Sequence, residues 1–408
     1  MSWLNPRRLR DYPRLIGASF WAVLAANLLT HKGWFGGFGG IISFDFLTMV
    51  AAARLYWTDI RNLYNFEAQF QVERQIFPPT PLEGGGNVFT YPPYVAVPYS
   101  IFLGMPYGWA FILWTALSVV AIAAAVGMLS RDVIPQKLKQ AGLTTPQLLV
   151  LTFSFFPTIF GLFQGQNNGL SLFLAVGVLV FTLKEKWYLA GISAGLMLYK
   201  PHFCIAFVLL WLVWKKFKAV AAFGIVALLW GASVLVSYGL EPYLQYLRVL
   251  PELMYLPYGI GRYVEVTLFS LVATSLPVET LPALLKGLQV LLIAATLGLG
   301  WLAFRARNQS LEGKIPVLML ALLYPFLVAP HTLNHDMVLL IPVLALWART
   351  SSSKYLLYGT IAVYLGSFLL LLLTRPTGLA LLAIIPVVMA AGVVVEMRKG
   401  IRKFSPIT

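Results

Sequence analysis

Long apolar runs recur along the whole length of this chain of 408 residues, and short clusters of Lys and Arg separate them. Only 11% of the residues are charged, whereas about a quarter are charged in a soluble globular chain. A membrane-spanning helix needs roughly 17–25 mostly apolar residues, or fewer when other helices bury it. The pattern therefore predicts an all-α polytopic membrane protein, with one transmembrane domain over residues 1–408 and no separate soluble domain.

The basic residues are explained better by membrane topology than by nucleic acid. The net charge is +15, but the Lys and Arg residues lie between apolar runs rather than on one soluble face. Membrane lipids are therefore expected partners, and nucleic acid is not. Cys204 is the single cysteine, so the chain can form neither an intrachain disulfide nor a cysteine cluster for a metal.

Twelve apolar segments are predicted to cross the membrane. They lie near residues 15–31, 107–129, 147–163, 169–183, 187–199, 201–214, 219–237, 283–304, 315–329, 336–348, 355–373 and 377–396. Two shorter apolar stretches, 94–104 and 264–276, are bounded by prolines or polar turns, and we expect re-entrant or interfacial helices there.

The basic clusters also predict the orientation of these crossings. With the amino terminus in the cytoplasm, 21 of the 30 Lys and Arg residues fall on the inner side, as the positive-inside rule requires. The outer side then carries two long connections, at about 32–106 and 238–282. Because function concentrates in such loops, we expect an active site on the periplasmic or extracytoplasmic side of the inner or plasma membrane.

Asp45 lies in an apolar setting just outside the first predicted crossing. A carboxylate that is partly desolvated but reachable from water is suited to act as a general base. Asp45 also precedes a helical stretch from about residue 47 to 56, so it is equally well placed as a helix N-cap. The sequence leaves both roles open.

Lys200 interrupts a continuous apolar run from Tyr188 to Trp214. A lysine at membrane depth is costly and by default indicates a functional site, and its compact charge suits a phosphate. Pro201 bends the chain, which would let Lys200 project into an outer cavity. Two alternatives remain: one tilted, kinked helix with the lysine inside it, or a side chain that extends to the outer headgroups.

Three further polar groups are predicted on the same outer side. His331, His335 and Asp336 lie between two apolar runs, and a helix would place both imidazoles on one face; a phosphate is the favoured ligand, since no third ligand for a metal is evident. Gln166 and Asn167 fill a tight turn between two crossings, and they either offer amides to a sugar or phosphate or only form a polar hairpin. Tyr91 and Tyr94 could form the floor of a sugar site or belong to an interfacial aromatic belt. Arg262, beside two glycines, could reach a phosphate or a lipid headgroup.

These landmarks together resemble glycosyltransferase family 87, the PimE-like mannosyltransferases of GT-C type that depend on polyprenyl-phosphate mannose. The matching pieces, in family order, are Asp45 ahead of Ala51-Ala52-Ala53-Arg54-Leu55 and Leu63-Tyr64, then Tyr91-Pro92-Pro93, Gly165-Gln166-Asn167, Lys200-Pro201 and His335-Asp336. The chain departs from the family pattern at Val264-Glu265-Val266-Thr267-Leu268, where a more polar stretch is expected.

The resemblance implies a GT-C-type bundle of about twelve helices, with Asp45 as the acidic base in the first outer loop. It implies a polyprenyl-phosphate sugar donor that is used without a nucleotide, with mannose as the expected sugar, and a lipid or glycan acceptor. No cofactor and no metal ligand set are expected, although the sequence leaves open whether a metal is used. The expected reaction is an inverting hexosyl transfer. Two alternatives need no chemistry: a transporter or flippase of lipid-linked sugars, and a lipid-binding scaffold. The internal repeat that is typical of transporters is not evident, because the Lys200-Pro201 pair has no counterpart near His335.

Overall fold

The computed structural model of the chain describes residues 6–30, 42–76, 88–140, 142–253, 264–350 and 354–403. Within these ranges the chain is helical apart from short connections, and the one strand-like feature is an antiparallel bridge between Glu265 and Leu333. The all-α prediction is therefore confirmed for the part of the chain that is described.

Nineteen α-helices follow one another through the described ranges. In the first half they are α1 (Pro6–Leu29), α2 (Phe44–Thr58), α3 (Phe66–Ile76), α4 (Ala96–Tyr99), α5 (Tyr107–Asp132), α6 (Gln136–Gln140), α7 (Thr145–Ser154), α8 (Phe156–Gln164), α9 (Asn168–Leu183) and α10 (Trp187–Leu196). In the second half they are α11 (Ile205–Val213), α12 (Phe217–Tyr238), α13 (Glu241–Leu253), α14 (Leu268–Thr274), α15 (Leu281–Ala306), α16 (Leu311–Val328), α17 (Leu340–Thr350), α18 (Lys354–Thr377) and α19 (Ile384–Lys403).

Four of the described helices, α5, α12, α15 and α16, are long and apolar enough to cross a membrane, and α7 with α8 would make a fifth. In lipid every backbone polar group must be satisfied within the protein, which is why apolar runs of this length form helices. These helices make the chain an integral membrane protein. The other predicted segments fall on shorter apolar helices, so the number of twelve crossings stays a prediction.

The centre of the bundle is formed by α9 and α16, whose residues are mostly buried. Around it the helices approach closely where small residues face each other. A Cβ atom added to Gly191 on α10 would lie 2.1 Å from the backbone oxygen of Ala219 on α12, so only glycine allows these two helices to touch. Such contacts replace the hydrophobic driving force that is missing between helices in lipid.

Several helices are broken, and the breaks carry the polar residues. The chain bends by 66° between α7 and α8. A 3-10 turn, Met197–Tyr199, ends α10, and a second, Pro201–Phe203, precedes α11, so Lys200 lies between them. The alternative of one continuous kinked helix through Lys200 is therefore wrong. Between α16 and α17 a third 3-10 segment, Asn334–Leu339, packs against α8 and α9.

Two local predictions need correction. Asp45 is not the N-cap of α2, because that position is taken by Ser43, and Asp45 lies within the first turn. His331 and His335 do not share a helical face. Pro330 disfavours helical backbone at the residue before it. Ala329 and Leu333 are extended and the residues between them are not helical, so only His335 enters the 3-10 segment.

The two stretches expected to be re-entrant or interfacial do form short helices. Residues 93–102 make a succession of short turns around α4, and α14 spans seven residues of the second stretch. Their depth in the membrane stays a prediction.

Candidate active site

Lys200 reaches across the bundle to the segment between α16 and α17. Its Nζ donates a hydrogen bond of 2.6 Å to Oδ1 of Asp336 and lies 3.4 Å from Nε2 of His335. The exposed fractions are 7% for Lys200 and 1% for His335 and for Asp336. The lysine therefore does not extend to the headgroups, and residues more than 130 positions apart in sequence form one buried charged cluster.

Asp336 is held in place from both sides. Its Oδ2 accepts a hydrogen bond of 3.2 Å from the backbone N–H of Leu333, while Oδ1 binds Lys200. A buried ion pair is tolerated only when its geometry is good and its remaining polar atoms are satisfied. The arrangement fixes the ammonium group of Lys200 at one point, with an aromatic ring, Phe203, 5.4 Å from it.

A second ion pair lies beside the first. The Nδ1 atom of His331 contacts Oε1 of Glu265, a carboxylate that is 0% exposed. Burial by itself would lower the pKa of His331, but the charge of Glu265 and its hydrogen bond outweigh burial and raise that pKa above its ordinary value. His331 is electrostatically coupled to Lys200 and Asp336, so both pairs belong to one site.

Tyr91 connects this site to Asp45. Burial raises the pKa of the Tyr91 phenol well above its ordinary value, and the charges of Asp336, Tyr99 and Asp45 raise it further. The charges of both carboxylates therefore act on the same phenol. Asp45 itself is half-buried in the first turn of α2.

The turn after α8 lies between Asp45 and the charged cluster. Gly165 ends α8 with a φ angle of +69°, which L side chains rarely adopt, and a Cβ there would lie 2.6 Å from Cβ of Phe46. On one side of the turn, the backbone N–H of Ser43 donates to the oxygen of Phe163 at 3.0 Å. On the other side, α8 and α9 pack against the segment that contains His335.

Buried amide groups surround this turn. Within the described residues, no hydrogen-bond partner is present for Oε1 of Gln166, Oδ1 of Asn167 or Oδ1 of Asn168, and Asn334 lacks one for both Oδ1 and Nδ2. Asn334 is 1% exposed. Buried polar groups are nearly always hydrogen-bonded in proteins, so a cluster of unsatisfied amides indicates a place where a polar ligand or water binds.

The remaining predicted residues lie elsewhere or outside the described ranges. Arg262 falls in residues 254–263, which are outside them. The hydroxyl of Tyr94 donates to the oxygen of Leu198 at 2.9 Å, and its ring stacks on Trp230, so this tyrosine packs the bundle. No group of three metal-ligating side chains occurs within the described residues.

Sequence reasoning missed three polar members of the site: Glu265, Asn334 and His202. Glu265 was visible as a departure from the family pattern, an acidic residue in an apolar stretch, but its histidine partner lies 66 residues away. Asn334 adjoins the predicted His335-Asp336 pair. His202 follows Lys200-Pro201, and it interacts electrostatically with Lys200, Asp336 and His331.

Comparison with known proteins gives one match. The family model described as "Glycosyltransferase family 87" matches residues 89–330, which is more than half of the chain and includes Tyr91, Gln166, Asn167, Lys200 and Glu265. Neither the curated proteins nor the solved structures contain a match. Together with the broken apolar helices and the buried charged cluster, this match shows that the chain is a membrane protein of glycosyltransferase family 87.

Proposed function

We propose that the protein transfers a sugar, with mannose as the expected one, from a polyprenyl-phosphate donor to a hydroxyl group of a lipid or glycan acceptor. The observation that carries the proposal is the buried Lys200 ammonium beside His335 and Asp336 in a family 87 chain. A buried cation within a membrane protein calls for an anionic ligand or a partner. The lipid phosphate of such a donor is an anion, and its polyprenyl chain anchors it in the membrane.

In the proposed reaction Asp45 removes the proton of the acceptor hydroxyl. The hydroxyl oxygen then forms a bond to the anomeric carbon, while the bond from that carbon to the phosphate oxygen breaks. The bonding electrons leave with the polyprenyl phosphate, and the configuration at the anomeric carbon inverts. Phosphate is a fair leaving group, so the protein acts mainly by positioning the reactants and stabilising charge.

Each group of the site has a role in this proposal. Lys200 and His331 face the phosphate, and Asp336 and His335 hold the lysine in place. The unsatisfied amides of Gln166, Asn167 and Asn334 supply hydrogen bonds to sugar hydroxyls, which both donate and accept. Tyr91, whose phenol is influenced by the charges of both Asp45 and Asp336, forms part of the sugar pocket. We place this site on the extracytoplasmic side of a GT-C-type bundle.

Transfer by purified protein is the test of this function. Protein reconstituted in lipid vesicles would be incubated with radiolabelled polyprenyl-phosphate mannose and a membrane lipid extract as acceptor, and radiolabelled product would be separated by chromatography. A glycosylated product is expected, and its dependence on the polyprenyl phosphate would be checked against a nucleotide-linked mannose. Movement of the labelled lipid across the vesicle membrane without product would contradict the proposal and favour a flippase.

The role of Asp45 is tested with a matched pair of variants. General-base catalysis typically contributes about 10²–10⁴-fold, so we expect Asp45→Asn to lose turnover by that factor while it binds the donor. Asp59→Asn is the control, because Asp59 is an exposed carboxylate at the other end of α2. Near-normal turnover in Asp45→Asn would exclude Asp45 as the base.

A further inference from the structure

Glu265 occupies an unusual position for a carboxylate, because it is fully buried between two loops of the outer side. Its Oε2 accepts hydrogen bonds from Ser270 Oγ at 3.1 Å and from the Thr332 N–H at 3.3 Å, while Oε1 contacts Nδ1 of His331. A buried charge without partners is very costly. Both carboxylate oxygens of Glu265 therefore have partners, and His331 is one of them.

The backbone reinforces this contact. The N–H of Val266 donates to the oxygen of Thr332 at 2.9 Å, and the N–H of Asn334 donates to the oxygen of Val264 at 2.7 Å. Glu265 and Leu333 are therefore paired as in a short antiparallel ladder. These two hydrogen bonds, one on each side of the pair, hold the two backbone segments that carry Glu265 and His331 against each other.

Since Nδ1 of His331 is used by Glu265, the orientation of the ring is determined. In an imidazolium both nitrogens are donors, so Nε2–H remains for another acceptor. Within the described residues, no protein group makes a hydrogen bond to Nε2, and the side chain keeps 30% of its surface exposed. The ring therefore keeps a donor available at Nε2, on a side chain that is partly exposed and electrostatically influenced by Lys200.

We infer that Glu265 is a positioning residue that keeps His331 protonated and directs its Nε2–H toward the phosphate of the donor. The inference rests on the proposed function for the identity of the phosphate, but not for the state of the histidine. It assigns a role to the residue at which this chain departs from the family pattern. Neutralising Glu265 would then weaken donor binding, although Glu265 itself does not contact the reacting atoms.

The charged groups around His331 set its protonation. Glu265 and Asp336 favour the imidazolium, whereas Lys200 disfavours it. His202 and His335 also interact with it electrostatically. Because the carboxylate of Glu265 is in direct contact, we expect Glu265→Gln to lower the pKa of His331 by about one unit or more. The variant keeps one acceptor oxygen, which can serve either His331 or the Thr332 N–H, while its NH2 group takes the other position.

The protonation state can be read directly by nitrogen NMR. The chain has four histidines, so labelling with ¹⁵N-histidine gives few signals, and His331→Gln identifies the one of interest. In the wild type, Nδ1 should carry a proton and the ring should titrate above its ordinary value, near 6.5. In Glu265→Gln the titration of His331 should move to lower pH. Glu265→Asp keeps a carboxylate, so its titration should lie between those of the wild type and Glu265→Gln. Glu279→Gln changes an exposed carboxylate and should leave the titration of His331 unchanged.

The second readout is the pH dependence of the KM for the donor. In the wild type, KM should rise as pH passes through the pKa of His331, and in Glu265→Gln that rise should begin at lower pH, with kcat much less affected. An unchanged His331 titration in Glu265→Gln overturns the inference. A shifted titration with unchanged KM overturns its phosphate-binding part.

These readouts separate the inference from the proposed function. The NMR titration needs no substrate, so its result stands even where the transfer assay or Asp45→Asn contradicts the proposed reaction. If Glu265→Gln does not fold, the wild-type spectrum alone is the test. A wild-type His331 that is neutral near pH 7, or that lacks a proton on Nδ1, overturns the inference.

Discussion

Lys200 and Asp336 show how a charge is accommodated inside this bundle. Breaking a buried pair by removing one partner is strongly destabilising, by about 3–5 kcal/mol, because the other charge is left uncompensated. We therefore expect Lys200→Met to lower the thermal unfolding temperature in detergent. Combining it with Asp336→Asn should recover much of that stability, because no charge is then left alone. Neither variant should transfer sugar.

The control for that pair is a surface ion pair. Arg248 and Glu241 on α13 are bonded at 3.0 Å with exposed side chains, and such pairs contribute about 0–1 kcal/mol. Arg248→Met should leave the unfolding temperature nearly unchanged. Equal losses in Lys200→Met and Arg248→Met would contradict the special status of the buried pair.

His331 makes stability depend on pH in a defined direction. Its pKa is raised in the folded protein by Glu265, against the opposing effect of burial. The stabilisation is therefore fully present below the unfolded pKa, near 6.5, and it is lost as pH rises through the folded pKa. The unfolding temperature should fall as pH rises above about 6.5, and Glu265→Gln should remove this part of the fall. An identical pH dependence in both proteins would contradict this expectation.

At this scale the sequence indicated which residues are unusual, but not all of their partners. Lys200 and the His335-Asp336 pair were predictable, because a charge inside an apolar run is costly wherever it lies. The Glu265–His331 pair was not, because it depends on how two distant loops meet. The assignment of His331 and His335 to one helical face was wrong, although Pro330 was there to disfavour a helix at that point.

Among the elements, the turn after α8 is the most constrained. Alanine at position 165 would require a left-handed backbone, which costs a non-glycine residue about 1–2 kcal/mol, and its Cβ would overlap with Phe46. We expect Gly165→Ala to lower the unfolding temperature and to raise the KM for the donor, because Gln166 and Asn167 follow directly.

Gly224→Ala is the matched control for this turn. It lies within α12, and a Cβ there meets nothing within 4 Å, so alanine should be neutral or slightly stabilising. If Gly165→Ala behaved like Gly224→Ala in both measurements, the turn would not hold the amides in place.

The apolar helices themselves were predictable from their length, but the 66° bend between α7 and α8 was not, because the packing of the helices determines it.

For the molecule as a whole, the orientation in the membrane is still a prediction from the basic residues. Single cysteines placed in a Cys204→Ser background would test it. Glu67→Cys on α3 is expected on the outer side and Lys137→Cys on α6 on the inner side, and both native side chains are exposed. A membrane-impermeant maleimide should label the first in intact cells and the second only after permeabilisation; the reverse pattern would place the site on the cytoplasmic side.

The all-α membrane architecture followed from the apolar runs alone, since a chain this poor in charge has no other way to satisfy its backbone in lipid. The number of crossings stays a prediction, because a hydropathy pattern does not decide whether helices as short as α10 and α11 cross the membrane. Chain breaks meet at the site: Lys200, after α10, binds Asp336, after α16, and the segment that contains Asp336 packs against α8 and α9, the helices on either side of Asn167.

The position of the donor phosphate in a cryo-EM structure of the protein with a bound polyprenyl-phosphate sugar tests the proposed site most directly. We expect the phosphate within hydrogen-bonding distance of Lys200 and His331, with the anomeric carbon open to the side of Asp45. A phosphate bound at another part of the bundle, or one whose sugar is shielded from Asp45, would contradict it.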